Sequence, residues 1–348
     1  MERVTESRLL WLVRWFSSSS GRLGGVFCAL FLLPFGVQWR KKNILWMFLA
    51  IGMIAGQRRG YAQQDPQYSQ YMFNQLAINP AYAGSKEAIS SAIFLRNQWA
   101  GIDGGPRTET ITIHGPMRKK KAALGFAVIA DQVGPKKSIG ILGSYAYRIK
   151  IRDGKLAFGL RFGAFQYIFN WAEIKYKDQT ETYNDKNQTS TIVPTADAGL
   201  YYYTNTFYLG MSATHLYNGR LTNVANQNGE YAQLSPHLFF TQGKAWAISE
   251  KVIFSPSCMV KFAKNSPASI DLNFSFLLEQ RIWVGLSVRA GYGLVAYTQY
   301  NITDKFKIGY AYDFGINKVG KAGGGSHEIM ISYDFKISKP QFFSPRYF

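Results

Sequence analysis

From about Arg107 to Phe335, apolar and polar residues alternate in short segments joined by turns, with no helical stretch between them. The run from Ala268 to Glu279 shows the rule. Ile270, Leu272, Phe274, Phe276 and Leu278 are apolar, while Ser269, Asp271, Asn273, Ser275 and Glu279 are polar. A period of two puts these sets on opposite faces of a β-strand. The pattern predicts strands near 87–98, 107–114, 122–131, 138–150, 155–169, 195–204, 207–215, 236–248, 252–262, 268–279, 282–291, 293–302, 305–314 and 326–335. That is about fourteen antiparallel strands, an even number, as in bacterial single-chain membrane barrels. The predicted fold class is all-β, a transmembrane outer-membrane β-barrel.

The polar parity carries charge in mid-strand at Arg161, Asp197, Asp271 and Arg289. A soluble sandwich would turn these charges to bulk water; a membrane barrel would turn them to its lumen and the apolar parity to lipid. Parity alone does not separate the two. Tyr and Phe near strand ends, strands close to bilayer-spanning length, and no spanning helix after the N-terminus favour the membrane. Trp283 stands out because it lies on the polar parity of its strand.

Upstream of the strands, Arg40, Lys41 and Lys42 precede an apolar run from Ile44 to Ala55, and Gly60-Tyr61-Ala62 offers small residues for cleavage. This reads as a signal peptide. The expected organisation is a presequence over 1–62, with a natural start near residue 47, then an N-terminal segment over 63–86 and the barrel over 87–348. An N-terminal membrane anchor is the other reading. The chain carries 40 basic and 21 acidic side chains, a net charge of +19. The first 62 residues hold 9 and 2 of these, which leaves 31 basic and 19 acidic beyond them. Such an excess suits anionic partners or lipid phosphates. Nucleic acid is not expected behind an export signal. Only Cys258 follows the presequence, so no disulfide is expected.

Residues 63–84 are rich in Gln, Asn and Tyr, and Met72, Phe73 and Leu76 have helical spacing that Asn79-Pro80 would end. This segment is too polar for lipid. It is expected to plug the lumen, to hang in the periplasm, or to lead into the first strand. Asn170–Pro194 and Tyr217–Ser235 read as long loops, and Gly323-Gly324-Gly325 as a turn without the lysine of a phosphate loop. His114, His215, His237 and His327 are scattered without metal-ligand spacing. His114 and His215 end strands and read as interface or turn residues. No cofactor, metal site or catalytic set is expected, and the chain is read as a non-enzyme.

Two blocks near the start of the mature part are distinctive. Asp65-Pro66-Gln67-Tyr68-Ser69-Gln70-Tyr71-Met72-Phe73-Asn74 is followed by Asn79-Pro80-Ala81-Tyr82-Ala83-Gly84. Then come Arg96-Asn97-Gln98-Trp99, Gly105-Pro106-Arg107-Thr108 and a closing Tyr333-Asp334-Phe335. In this order they resemble the PorP/SprF family of the type IX secretion system of Bacteroidota. The resemblance implies an outer-membrane barrel that associates with periplasmic ring components and supports protein secretion and gliding motility. It also implies a secreted cargo, often an adhesin, bound through its C-terminal sorting domain. A porin-like solute channel is the alternative. The candidate partner-binding or plug-anchoring residues are Asn79, Pro80, Tyr82, Gly84, Arg96, Gln98 and Trp99. Asn79-Pro80 is expected to turn the chain into the first strand, and Arg96 and Gln98 to hydrogen-bond the N-terminal segment's backbone from one strand face.

Overall fold

The computed structural model describes residues 66–86, 88–117, 121–173, 188–217, 219–225, 231–263, 266–317, 320 and 322–335. The expected signal peptide, its cleavage site and the last residues of the expected barrel range lie outside these.

A single helical turn, α1 (Gln75–Ile78), and a 3₁₀ turn at Pro80–Tyr82 precede the strands. The strands are β1 (Ser90–Asn97), β2 (Arg107–Pro116), β3 (Ala122–Val133), β4 (Lys136–Ile151), β5 (Gly154–Asn170), β6 (Gln188–Tyr203) and β7 (Phe207–Thr214). They continue as β8 (Arg220–Ala225), β9 (Tyr231–Gln233), β10 (His237–Lys244), β11 (Trp246–Ser249), β12 (Val252–Ala263), β13 (Ser269–Leu278) and β14 (Ile282–Arg289). The last three are β15 (Gly293–Asn301), β16 (Phe306–Gly315) and β17 (Ser326–Asp334). Each barrel strand pairs antiparallel with its neighbours; β1 pairs with β17 and β10 with β12. Since β11 only prolongs β10 along β12, the result is a closed barrel of 14 strands with no free edge.

The faces divide as the alternation predicts. Ile93, Leu95, Ile111, Ile113, Phe158, Leu160, Phe162, Leu286, Ile329 and Ile331 point outward and are exposed. Thr108, Thr110, Thr112, Arg161, Asp197, Asn273, Asp313 and Glu328 point inward and are buried. Water would penalise this outer face, and hydrocarbon matches it. Among the described residues no helix is long and apolar enough to cross a membrane.

One end of the barrel has short turns, at 152–153, 204–206, 250–251, 279–281 and 302–305. The other has the longest connections, at 98–106, 171–187, 215–236 and 316–325, beside short ones at 134–135, 264–268 and 290–292. β1 starts and β17 finishes at the short-turn end, which in outer-membrane barrels is periplasmic.

Three boundaries differ from expectation. The strand placed at 195–204 begins at Gln188 and runs through Pro194. Before Ala198 it pairs with β5 but not β7, so a proline without a donor is tolerated there as on an edge strand. The connection Tyr217–Ser235 is not all loop, because β8 and β9 form a two-stranded ribbon in it. The strand expected at 236–248 is divided at Ala245, whose N–H still donates to Thr206 O, its in-register partner beyond β7.

Candidate functional site: an N-terminal plug inside the barrel

Residues 68–86 lie in the lumen and are buried throughout. Tyr68, Tyr71, Met72 and Phe73 pack with Phe94, Phe239, Trp283, Tyr297 and Met330. Leu76, Ala81, Tyr82 and Ala83 pack with Ala123, Ala146, Ala157, Tyr201 and Tyr208. Burying a large apolar side chain is worth roughly 1.5–3 kcal/mol, so these contacts favour the docked segment. Trp283, the aromatic residue on the polar parity, is explained by this: it faces the lumen and is 2% exposed.

The first part of the plug is gripped by charge. Arg96 on β1 and Glu328 on β17 are directly opposed across the barrel seam, as Asp271 and Arg289 are between β13 and β14. Glu328 accepts the Ser69 N–H at 2.7 Å and the Gln70 N–H at 2.8 Å, one on each carboxylate oxygen. Arg96 donates to Ser69 Oγ at 2.6 Å, to Asp313 Oδ2 at 2.7 Å and to Glu328 Oε2 at 3.2 Å. Ser69 Oγ donates in turn to Asp313 at 2.5 Å. Arg289 holds Asp271 at 2.9 Å and donates to Tyr68 O at 3.1 Å. The Tyr68 hydroxyl meets Thr110 Oγ1 at 2.8 Å. Three carboxylates face two guanidinium groups here. The two successive backbone N–H groups of the plug supply the missing positive potential, as in anion-binding nests.

The middle is held as a capped helix end. Four residues of helix are too few to be stable alone, and the last carbonyls of a helix have no internal partner. Arg161, ion-paired with its cross-strand neighbour Asp197 at 2.5 Å, donates to Leu76 O at 3.0 Å and Ala77 O at 2.9 Å. Ser212 Oγ donates to Ile78 O at 2.6 Å. Asn79 then stops α1. Proline at position 80 keeps it extended, at φ −138° and ψ 111°. Its Oδ1 accepts the Ala81 N–H at 2.9 Å, and its Nδ2 donates to Leu200 O at 3.0 Å. Gly159 and Gly199 face this bend, and a side-chain carbon on Gly159 would overlap the Ala81 backbone. They are notches cut for the plug.

The last part turns into the wall. Gly84 has φ +68°, a conformation glycine takes without cost. Its N–H donates to His114 Nδ1 at 3.0 Å, which fixes the His114 proton on Nε2. Arg148 donates to Gly84 O. Tyr82 stands edge-on to the His114 and Tyr201 rings.

The predicted site residues are therefore brought together only in part. Asn79, Pro80, Tyr82 and Gly84 lie in the plug, and Arg96 lies in the wall that grips it. Arg96 reaches the Ser69 hydroxyl, however, while the segment's backbone is received by Glu328, Arg161, Arg289, Ser212 and Arg148. Asn79-Pro80 does not make the turn into β1. It meets β5, β6 and β7, and the turn comes later, through Tyr82–Lys86. Gln98 is buried at the long-loop end, where its N–H donates to Pro106 O at 2.8 Å. Trp99 follows with φ +55°, and its N–H donates to Ser326 Oγ at 3.1 Å. His114 faces the plug. Sequence reasoning missed Ser69, Asp313, Glu328 and Ser212 as partners. For Asp313, Glu328 and Ser212 the signal was a charged or hydroxyl side chain on the inward parity; Ser69, in the plug, carried none.

Several solved structures are similar to this chain. A FadL homologue from Pseudomonas aeruginosa is 12% identical with a TM-score of 0.42, over 78% of this chain and 95% of that one. The CymD monoaromatic hydrocarbon channel is 12% identical with a TM-score of 0.43, over 79% and 95%. The outer membrane protein Omp33 of Acinetobacter baumannii is 9% identical with a TM-score of 0.42, over 72% and 100%. A comparison with curated proteins found no match. The family model of the type IX secretion system membrane protein PorP/SprF matches residues 60–333, from the plug through the closing strand, and the chain belongs to that family.

Proposed function

We propose that this barrel is a plugged anchor. It holds a secreted cargo protein by its C-terminal sorting domain at the outer surface and associates with the periplasmic ring components of the type IX machine. The reading covers secretion and gliding adhesins alike. It has the barrel bind partners and outer-membrane lipids, with no enzymatic step. One observation carries it over a solute channel. The inward charges that would line a porin constriction are engaged by the plug, with Arg96 at 3%, Arg289 at 3%, Asp313 at 0% and Glu328 at 0% exposure. A conducting pore keeps such groups in water.

The test is affinity isolation of the tagged protein from detergent-solubilised outer membranes, with mass spectrometry of what accompanies it. Recovery of one large secreted protein with a C-terminal sorting domain, together with ring components, supports the anchor. Recovery of the barrel alone, with steady ion conductance in planar bilayers, overturns it in favour of a channel.

A further inference from the structure

The plug has a direction. Its first gripped residues, Tyr68, Ser69 and Gln70, meet Arg96, Thr110, Asp271, Arg289, Asp313 and Glu328. Each of these wall residues lies within four positions of the long-loop end of its strand. The last gripped residue, Gly84, meets His114 and Arg148, and each lies within four positions of the short-turn end. Lys86 then reaches Ser90, where β1 begins at that same end. The chain thus descends the lumen from the long loops to the short turns before it enters the barrel. Burial agrees. Tyr68 is 5% exposed, while Pro66 and Gln67 are half-buried as the chain leaves the packed lumen.

We propose that the plug is threaded from the outside in, so that Pro66 and Gln67 lie at the exterior mouth of the barrel. Strand β1 nevertheless starts on the periplasmic side. Short turns and strand termini of outer-membrane barrels are periplasmic, and long loops are exterior, which sets the sign. The length allows it. The outward apolar band of such a barrel is about 25 Å tall, and the 15 steps from Ser69 to Gly84 reach about 50 Å when extended, so turns fit within the span. The N-terminal side of the plug is then a surface element beside the long loops, within reach of an exterior partner. The inference does not depend on which cargo is bound.

Single-cysteine labelling on intact cells tests it. In a chain carrying Cys28→Ser and Cys258→Ser, Gln67→Cys probes the plug's outer end. Asp103→Cys in the β1–β2 connection marks the exterior, and Asp153→Cys in the β4–β5 turn marks the periplasm. Both reference positions are exposed. Heat-modifiable migration on gels shows that each variant has folded, and Pro66→Cys replaces Gln67→Cys if that variant has not. With a membrane-impermeant maleimide, position 67 is expected to label on intact cells as position 103 does, while position 153 labels only after the outer membrane is permeabilised. Labelling of 67 only in company with 153 overturns the proposal, as does no labelling of a folded chain in either condition.

Discussion

The two ends of the plug are held by different physics. At the long-loop end, ion pairs and charge-assisted hydrogen bonds from four strands converge on Tyr68–Gln70. At the bend and below, no carboxylate among the described residues receives the segment's backbone and shape does more of the holding: notches at Gly159 and Gly199 and small residues at Ala123, Ala146 and Ala157, with Arg161, Ser212 and Arg148 capping carbonyls. Shape tolerates no added volume but loses little when one hydrogen bond goes. A buried charge network tolerates isosteric neutral change poorly, because each group left behind stays desolvated. The lower end is also continuous with β1, whereas the upper end has only non-covalent ties to the barrel. The charged end is therefore the one whose loss would free the plug, and the shaped end is the one that fixes its path.

The largest effect should follow Arg96→Ala. It leaves Glu328 and Asp313 facing each other without their shared cation, and breaking such a buried group costs about 3–5 kcal/mol. The expected outcome is a lower unfolding midpoint in detergent and faster proteolysis near Tyr68. Unchanged values for both would show that the charges do not hold the plug. Next comes Gly159→Val, where added carbons meet plug backbone, at about 1–3 kcal/mol from overpacking. Gly143→Val is its control, since Gly143 lies on an exposed position and a side-chain carbon there approaches only Phe162 O, at 3.9 Å. Equal melting shifts in the two variants would remove the notch from the account. The smallest effect belongs to Ser212→Ala, about 1 kcal/mol for one hydrogen bond, read as a small drop in the denaturation midpoint without loss of the plug's protease resistance.

Most of the wall was legible in the sequence because its cause is local. A two-residue period fixes which side chains face lipid, so Phe158 and Arg161 could be assigned to opposite faces without coordinates. The inward charges were legible too, but not their partners. Pairing Arg96 with Glu328 depends on closing a seam between strands more than two hundred residues apart, and register is set by the whole ladder. The plug was legible as a polar segment unfit for lipid. Its path was not, because turns without periodicity take their course from tertiary contacts such as Arg161 with Leu76 and Ala77. Pro194 misled the reading of β6 because a proline's cost in a sheet depends on whether a second neighbour is present, which no local pattern reports.

The grip on Ser69 and Gln70 comes from Glu328, in the final strand. The plug is thus fastened by a residue 259 positions further along the chain. An unfinished chain, cut short before β17, has neither the seam partner of β1 nor the carboxylate that receives Ser69 and Gln70. Locking of the plug therefore reports closure: only a cylinder that includes β17 can secure this segment, and a product cut short before it would leave the segment loose for a protease to find.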